Sequence, residues 1–328
     1  MGRPVFQVIN PGVFTTIQAG PRKGYFTSGI PPSGAMDRFS LRMGNLLVKN
    51  SLEEAGLEVT GVGVKLKALS ETVIAPSGAD FGMRVDGRSF SPWRTILVKK
   101  NDVLEMGSPS PGWRAYLAVA GGFDVPEVLG SKSTYTLGGL GGFKGRALKK
   151  GDILEAGEPR DELRELKGRR VKEKFLPLER LAKELRVVLG PQDDHVKPES
   201  IETFLNTEYQ VSIHSNRVGY RFQGAQLYFH QREQSKDAGS DPSNIVDDGN
   251  AIGAIQIPAG KEPICLGPDG VTMGGYVKIA CLITADMDRM AQLRPRDRVS
   301  FRSVTIEEAR NILLESIGWV REENVIQE

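Results

Sequence analysis

Cysteine, histidine and long apolar runs are all scarce in this chain. Of 328 residues only two are cysteine, Cys265 and Cys281, and both sit inside apolar runs. So few thiols exclude a disulfide-stapled scaffold and read as reduced core residues of a cytosolic protein. The three histidines, His195, His214 and His230, have no cysteine or carboxylate at ligand spacing, which argues against a metal site. No uninterrupted apolar run reaches about 18 residues, so no membrane span is expected. The opening MGRPVFQVINPG lacks the apolar core of a secretory signal. An excess of one charge is missing too. With 43 Lys and Arg against 41 Asp and Glu, the net charge is +2, and nothing calls for nucleic acid. Ser131, Ser133 and Ser215 stand outside any G-x-S-x-G context, so a serine-hydrolase triad has no support.

What is abundant is turn chemistry, with 38 glycines and 19 prolines. From Leu57 to about Val119 the chain reads as short strands: LEVTG, VKLKAL, ETVIAPSG, FGMRVDG, TILVKKND and AYLAVAGG. Turn residues recur at spacings of about 8–12, the pattern of a sandwich or barrel. The length suits roughly two domains. The charged stretch 157–184, including the basic Lys167–Lys174, reads as a solvated connector, giving domains over 1–165 and 185–328. The second half restarts with strands at Leu185–Leu189, Tyr209–Ile213, Tyr220–Phe222 and Arg298–Val304. His230–Asn250 reads as a polar loop.

Helices are few and short. Asp37 is placed to cap a helix carrying Phe39, Met43, Leu46 and Leu47. Ser51/Glu54 and Thr305/Glu308 fit capping boxes, Pro198 opens a helix, and Asp286 is placed to cap another.

The stretch Asp247–Ala280 concentrates chemistry. Two strand-like runs, Ala254–Pro258 and Pro263–Leu266, are flanked by Gln256, Asp269, Thr272 and Lys278, with glycines that let the backbone turn sharply. An amide, a carboxylate, a hydroxyl and an ammonium are thus carried to strand ends. Lys278 opens an apolar run and needs a partner there, for which Asp269 is the expected candidate. The alternative is a solvent-facing lysine at a strand start. Gln256 alternates with Ile255 and Ile257 and suits a planar amide ligand, or else is a satisfied core amide. Asn45 lies two turns from the Asp37 cap and is a candidate for lining a groove. In Gly138–Arg146, Lys144 and Arg146 could hold an anion. A tight structural turn is the alternative, since the spacing of a nucleotide-binding loop is absent.

The chain resembles the allophanate hydrolase subunit 2 family of carboxyltransferase-related proteins. The matching motifs include Thr15-Thr-Ile-Gln18, Gly29-Ile-Pro-Pro-Ser-Gly-Ala-Met-Asp37 and Gly121-Gly-Phe-Asp-Val-Pro126. Others are Gly141-Gly-Phe-Lys-Gly-Arg-Ala-Leu148, Gly190-Pro-Gln192, Arg217-Val-Gly-Tyr-Arg221, Gly253-Ala-Ile-Gln-Ile-Pro258 and Thr272-Met-Gly-Gly-Tyr-Val-Lys-Ile-Ala280. They run in family order over nearly the whole chain. Asn216 stands where the family usually has Asp, and Val277 where it usually has Pro.

The resemblance implies a mainly β fold of two cyclophilin-like β-barrel domains. It also implies the C-subunit role in an ATP-dependent 5-oxoprolinase, opening 5-oxoproline to glutamate with a smaller B subunit and an A subunit. On that reading Lys278 offsets charge on the amide oxygen, Asp269 positions it, and Gln256, Asn45 and Thr272 bind the amide substrate. Lys144 and Arg146 are then the candidates for ATP. Two other readings are a carboxyltransferase half acting on urea or another amide with biotin supplied in trans, none being attached to this chain, and a non-catalytic antagonist of a histidine-kinase inhibitor.

Overall fold

Glycine and proline cut the strand-forming runs short, so the sheets are built from strands of two to eight residues. The computed structural model describes residues 2–176, 183–233 and 236–327. They divide into two compact units. One takes in the described residues of Met1–Lys23, Ser33–Leu178 and Ile317–Glu328, and the other those of Gly24–Pro32 and Glu179–Ser316.

The first unit contains β1 (Arg3–Asn10), β2 (Phe14–Gln18), α1 (Arg38–Leu47), β3 (Gly56–Thr60), β4 (Lys65–Ala68), β5 (Thr72–Gly78) and β6 (Arg84–Val85). It continues with β7 (Arg88–Ser89), β8 (Ile96–Val98), β9 (Val103–Glu105), β10 (Arg114–Val119), β11 (Ile153–Ala156), α2 (Leu163–Leu166) and β12 (Arg169–Val171). Six strands pair in the order β11-β1-β4-β9-β6-β7 and five in the order β2-β3-β10-β5-β8. One apolar core draws on both sheets: Phe6, Leu66 and Leu154 from the first, Ile17, Leu57 and Leu117 from the second. Among the described residues the expected barrel here is built as two hydrogen-bonded sheets over a shared core.

Helix α1 forms as its sequence requires. Asp37 Oδ1 accepts from the Ser40 backbone N–H at 2.9 Å and Oδ2 from its hydroxyl at 2.6 Å, satisfying one of the orphan donors of the first turn. Phe39, Met43 and Leu47 are buried in a cluster with Val73, Ala75 and Ala118. The expected helix at Ser51–Glu54 is only a turn, closed by Glu54 N–H to Ser51 O at 3.0 Å. The Glu54 carboxylate is taken by Lys132 at 2.7 Å and by the Ala55 N–H at 3.0 Å.

The second unit holds β13 (Glu184–Leu189), α3 (Pro198–Asn206), β14 (Tyr209–Val211), β15 (Gly219–Gln223), β16 (Asn244–Gly249) and β17 (Ala254–Gln256). Then come β18 (Ile264–Leu266), β19 (Met273–Tyr276), β20 (Lys278–Leu282), α4 (Met287–Ala291), β21 (Arg298–Ser303) and α5 (Ile306–Gly318). Seven strands close a barrel in the order β13-β20-β17-β18-β15-β14-β21. The ring is closed by a parallel β13–β21 pair, while its other pairings are antiparallel. Phe301 anchors its interior, stacked on Phe204 at 4.5 Å and edge-on to Phe222 at 5.2 Å, geometries that suit aromatic quadrupoles.

Beside the barrel, β16 and β19 form a separate two-stranded sheet. Part of the expected polar loop His230–Asn250 is thus a strand, while 234–235 lie outside the described residues. The Thr305/Glu308 box forms as expected, with reciprocal bonds of 2.8 and 3.1 Å. Asp286 does not cap α4 through its side chain. Its buried carboxylate is forked onto Arg186 at 2.9 and 2.5 Å, a stronger partner than a backbone N–H.

The chain ends in β22 (Val325–Gln327), which pairs with β12. The expected connector is consequently not all solvated. Leu166 and Val171 are buried in the first unit's second cluster, and the rest of that stretch at 177–182 lies outside the described residues. Among the described residues no helix is long and apolar enough to cross a membrane.

Candidate functional site

A bulge in the barrel positions the central pair. Along β17 and β20, Ala254 pairs with Cys281 and Ile255 with Ala280, but Gln256 then pairs with Lys278. Skipping Ile279 re-aims the strand end, as bulges do, and sets the Gln256 carboxamide and the Lys278 ammonium on adjacent strands as cross-strand neighbours. Lys278 is 2% exposed. A buried ammonium must be paired, and its partner is Asp248 of β16, with Nζ to Oδ2 at 3.1 Å.

Gln192, from the Gly190-Pro-Gln motif, completes this corner. Its N–H donates to Lys278 O at 3.1 Å, its Oε1 accepts from the Lys278 N–H at 3.2 Å, and its Nε2 reaches Asp248 Oδ2 at 3.5 Å. The backbone donor fixes which way the Gln192 amide faces, so Nε2 is turned toward the carboxylate. The Lys278 hydrogen bond, with help from the Gly249 N–H, holds the Asp248 carboxyl below its ordinary range. Nearby, burial pushes the Cys281 thiol up, with the Lys278 charge pulling the other way.

Gln256 Nε2 donates to Asn250 Oδ1 at 3.0 Å. Asn250 is itself buried and tied to the Thr272 carbonyl through its N–H at 2.9 Å. Gly274 of β19 lies over this pair of amides. A Cβ there would stand 3.0 Å from Asn250 Nδ2 and 3.2 Å from Gln256 Nε2, so glycine permits the close approach. Val277, which joins β19 to β20, donates its N–H to Ser243 O at 2.8 Å; a proline at that position would lack this bond.

Several expected members of the site have other roles. Asp269 does not hold Lys278. Its carboxylate is forked onto Arg217, at 2.8 and 3.1 Å, because the glycine loop folds back so that Asp269 N–H bonds Arg217 O at 3.1 Å. Thr272 is buried, and its carbonyl rather than its hydroxyl serves Asn250. Asn45 belongs to the first unit, where its amide is spent on structure. Nδ2 donates to Glu54 O at 2.8 Å and Leu52 O at 3.3 Å, and Oδ1 accepts from Asn50 at 3.0 Å.

Lys144 and Arg146 also lie in the first unit. Arg146 is forked onto Asp152 at 2.8 and 2.9 Å, which raises the guanidinium pKa and lowers the carboxyl. The pocket beside Lys144, of about 540 Å³, is also lined by Asp124 and Glu155. Two carboxylates and a guanidinium already neutralised by Asp152 do not fit a polyphosphate, so the tight structural turn is the role the geometry gives this loop.

Gln192, Asp248, Asn250 and Gly274 are the members that the candidate residues did not include. The Gly190-Pro-Gln192 motif and the polar run Asp247-Asp-Gly-Asn250 directly ahead of β17 were the available signals. Together the residues make a cation, three carboxamides and a half-exposed carboxylate at one end of the barrel. Such a set can orient a planar amide and offset charge on its oxygen.

Comparison with known proteins places the chain in a family. "Carboxyltransferase domain, subdomain A and B" matches residues 28–303. The chain is 35% identical to the 5-oxoprolinase C subunit of Escherichia coli over 306 residues, covering 93% of each protein. It is 36% identical to urea amidolyase of Lachancea kluyveri over 317 residues, spanning 94% of this chain but only 17% of that relative. The crystal structure of K. lactis urea amidolyase superimposes with a TM-score of 0.90 at 32% identity, over 99% of this chain and 21% of that one. The chain belongs to the carboxyltransferase domain family.

Proposed function

We propose that this chain is the C subunit of an ATP-dependent 5-oxoprolinase and binds the ring amide of 5-oxoproline at the Lys278–Gln256 end of the barrel. The observation that carries the reading is the bulge pairing that sets these two residues opposite each other on adjacent strands. A lactam presents its C=O and N–H on one edge. With Gln256 Nε2 committed to Asn250, Gln256 Oε1 is left as the acceptor for the ring N–H. Lys278 supplies the charged donor for the carbonyl oxygen, where negative charge grows as the amide is attacked. The near end-to-end similarity to a 5-oxoprolinase component supports the choice of substrate.

Lys144 and Arg146 do not form a phosphate cradle, so ATP is assigned to partner subunits, a smaller B and an A subunit working with this chain in the cytoplasm. ATP would supply the leaving group that amide resonance denies. This chain's residues bind and orient the lactam. The test is reconstitution with both partners and measurement of glutamate formed from 5-oxoproline and ATP; an inert complete set of subunits would sink the reading.

A second reading rests on the fold similarity to urea amidolyase. The same donor–acceptor pair suits urea, and the chain would then hold urea while a carboxyl group passes from carboxybiotin on another protein to a urea nitrogen, whose proton passes to biotin. Carboxylation of urea by this chain with a carboxybiotin-loaded carrier and a B partner, without 5-oxoproline turnover, would select it.

A further inference from the structure

Asp248 is an unusual partner for a buried lysine. It is 53% exposed and stands on the two-stranded β16–β19 sheet beside the barrel, whereas the ammonium it covers is 2% exposed. Its Oδ2 lies where two donors converge, 3.1 Å from Lys278 Nζ and 3.5 Å from Gln192 Nε2. Those donors are held from beneath: Gln192 is locked to the Lys278 backbone by bonds of 3.1 and 3.2 Å. The donors are therefore built into the barrel, while the acceptor is a side chain of the neighbouring sheet that water reaches.

We infer that Lys278 Nζ and Gln192 Nε2 form a site for a negatively charged ligand oxygen, which Asp248 fills in the ligand-free chain and yields on binding. This deepens the proposed amide site and rests on it only for the identity of the substrate. An ammonium and a carboxamide converging on one oxygen favour a charged acceptor over a neutral one. The exchange conserves charge, since one anionic oxygen replaces another on Lys278. While Asp248 occupies the site, the apparent affinity of any competing anion is lowered by the fraction of chains that are open. The charged oxygen has two possible sources, a carboxylate of the substrate or the oxyanion that develops on the amide carbonyl.

The test is equilibrium binding to the full chain, followed by NMR of the Gln192 side-chain amide, with acetate as the anionic probe and 2-pyrrolidone as the neutral one. Asp248→Asn should tighten acetate about tenfold and leave 2-pyrrolidone within about twofold. Adding Lys278→Met to that variant should abolish acetate binding, and Gln192→Leu alone should weaken it. Equal acetate affinity in wild type and Asp248→Asn, or a tenfold gain that survives Lys278→Met, would overturn the proposal. Thermal melts of each variant show that a folded chain is being titrated. If Asp248→Asn does not fold, the wild type decides: saturating acetate must shift the Gln192 amide, and no shift would overturn the proposal.

Binding of 5-oxoproline separates the two sources. Loss of its affinity in Lys278→Met with 2-pyrrolidone affinity unchanged assigns the site to a substrate carboxylate, and unchanged affinity of both with lost turnover assigns it to the oxyanion. Acetate competition without 5-oxoproline turnover in the reconstituted complex would remove the proposed substrate and leave this site standing.

Discussion

Gln256 faces Lys278 across the β17–β20 pairing, at the point where the register slips by one residue. Their adjacency is a product of the bulge, so the two should act as a unit. In the reconstituted enzyme, Lys278→Met is expected to lower kcat by about 10²–10³. Gln256→Leu should cost less, and the double variant should fall well short of the product of the two, because residues in one constellation are non-additive. The Lys278→Met chain should melt no lower than wild type, since Asp248 is 53% exposed and water takes up its carboxylate, while an apolar side chain suits the buried position that Lys278 leaves. A large drop in melting temperature alongside the activity loss would assign Lys278 to the fold instead.

Gly274 offers a subtler probe of the same place. Its added Cβ would meet Asn250 Nδ2 at 3.0 Å and Gln256 Nε2 at 3.2 Å. Both are side-chain termini, so they can give by a few tenths of an ångström. Gly274→Ala should therefore change stability by less than about 1 kcal/mol, yet displace the amide that orients the substrate and lower kcat/KM about tenfold. Steady-state kinetics beside a denaturant midpoint separates the two effects; an unchanged kcat/KM would show that Gln256 does not orient substrate.

Local patterns read from the residues survive in the fold wherever a single element decided them. The Asp37 cap, the Thr305/Glu308 box, the Pro198 start of α3 and the short strands from Leu57 onward all form. What the residues did not disclose was pairing at a distance. Lys278 was legible as a lysine needing a carboxylate, but whether Asp248 or Asp269 supplied it depended on which loops fold back across the barrel. Asn45 shows the same limit. Its amide closes the turn after α1, and only the positions of Leu52, Glu54 and Asn50 reveal that nothing is left for a ligand. Bulges are likewise invisible to a period-two pattern, so Gln256 could be placed on a face but not opposite Lys278.

Asp269 and Arg217 make a buried forked pair, 4% and 7% exposed in their side chains. Truncating Asp269 takes a forked carboxylate away from a buried guanidinium. Asp269→Ala should destabilise the barrel by about 3–5 kcal/mol, read as a fall in the urea midpoint. Remaining folded activity per molecule should be little changed, because the carboxylate holds a loop and not the Lys278 ammonium. Severe loss of kcat in a fully folded Asp269→Ala enzyme would restore Asp269 to the site.

His195 gives the fold a pH dependence of definite sign. It precedes α3, its Nδ1 is buried without a hydrogen-bond partner among the described residues, and burial, with the nearby Arg232 charge, lowers its pKa from the ordinary 6.5. Below about pH 6.5 the unfolded chain takes up a proton that the folded chain still refuses, so the unfolded state binds more protons and the unfolding free energy falls as the pH falls. The loss begins near the unfolded value and levels off once the pH passes beneath the folded one. His195→Gln removes the titrating group. Urea midpoints measured between about pH 7.5 and 5 should fall less steeply toward acid in the variant than in wild type, and parallel curves would rule out His195 as the source.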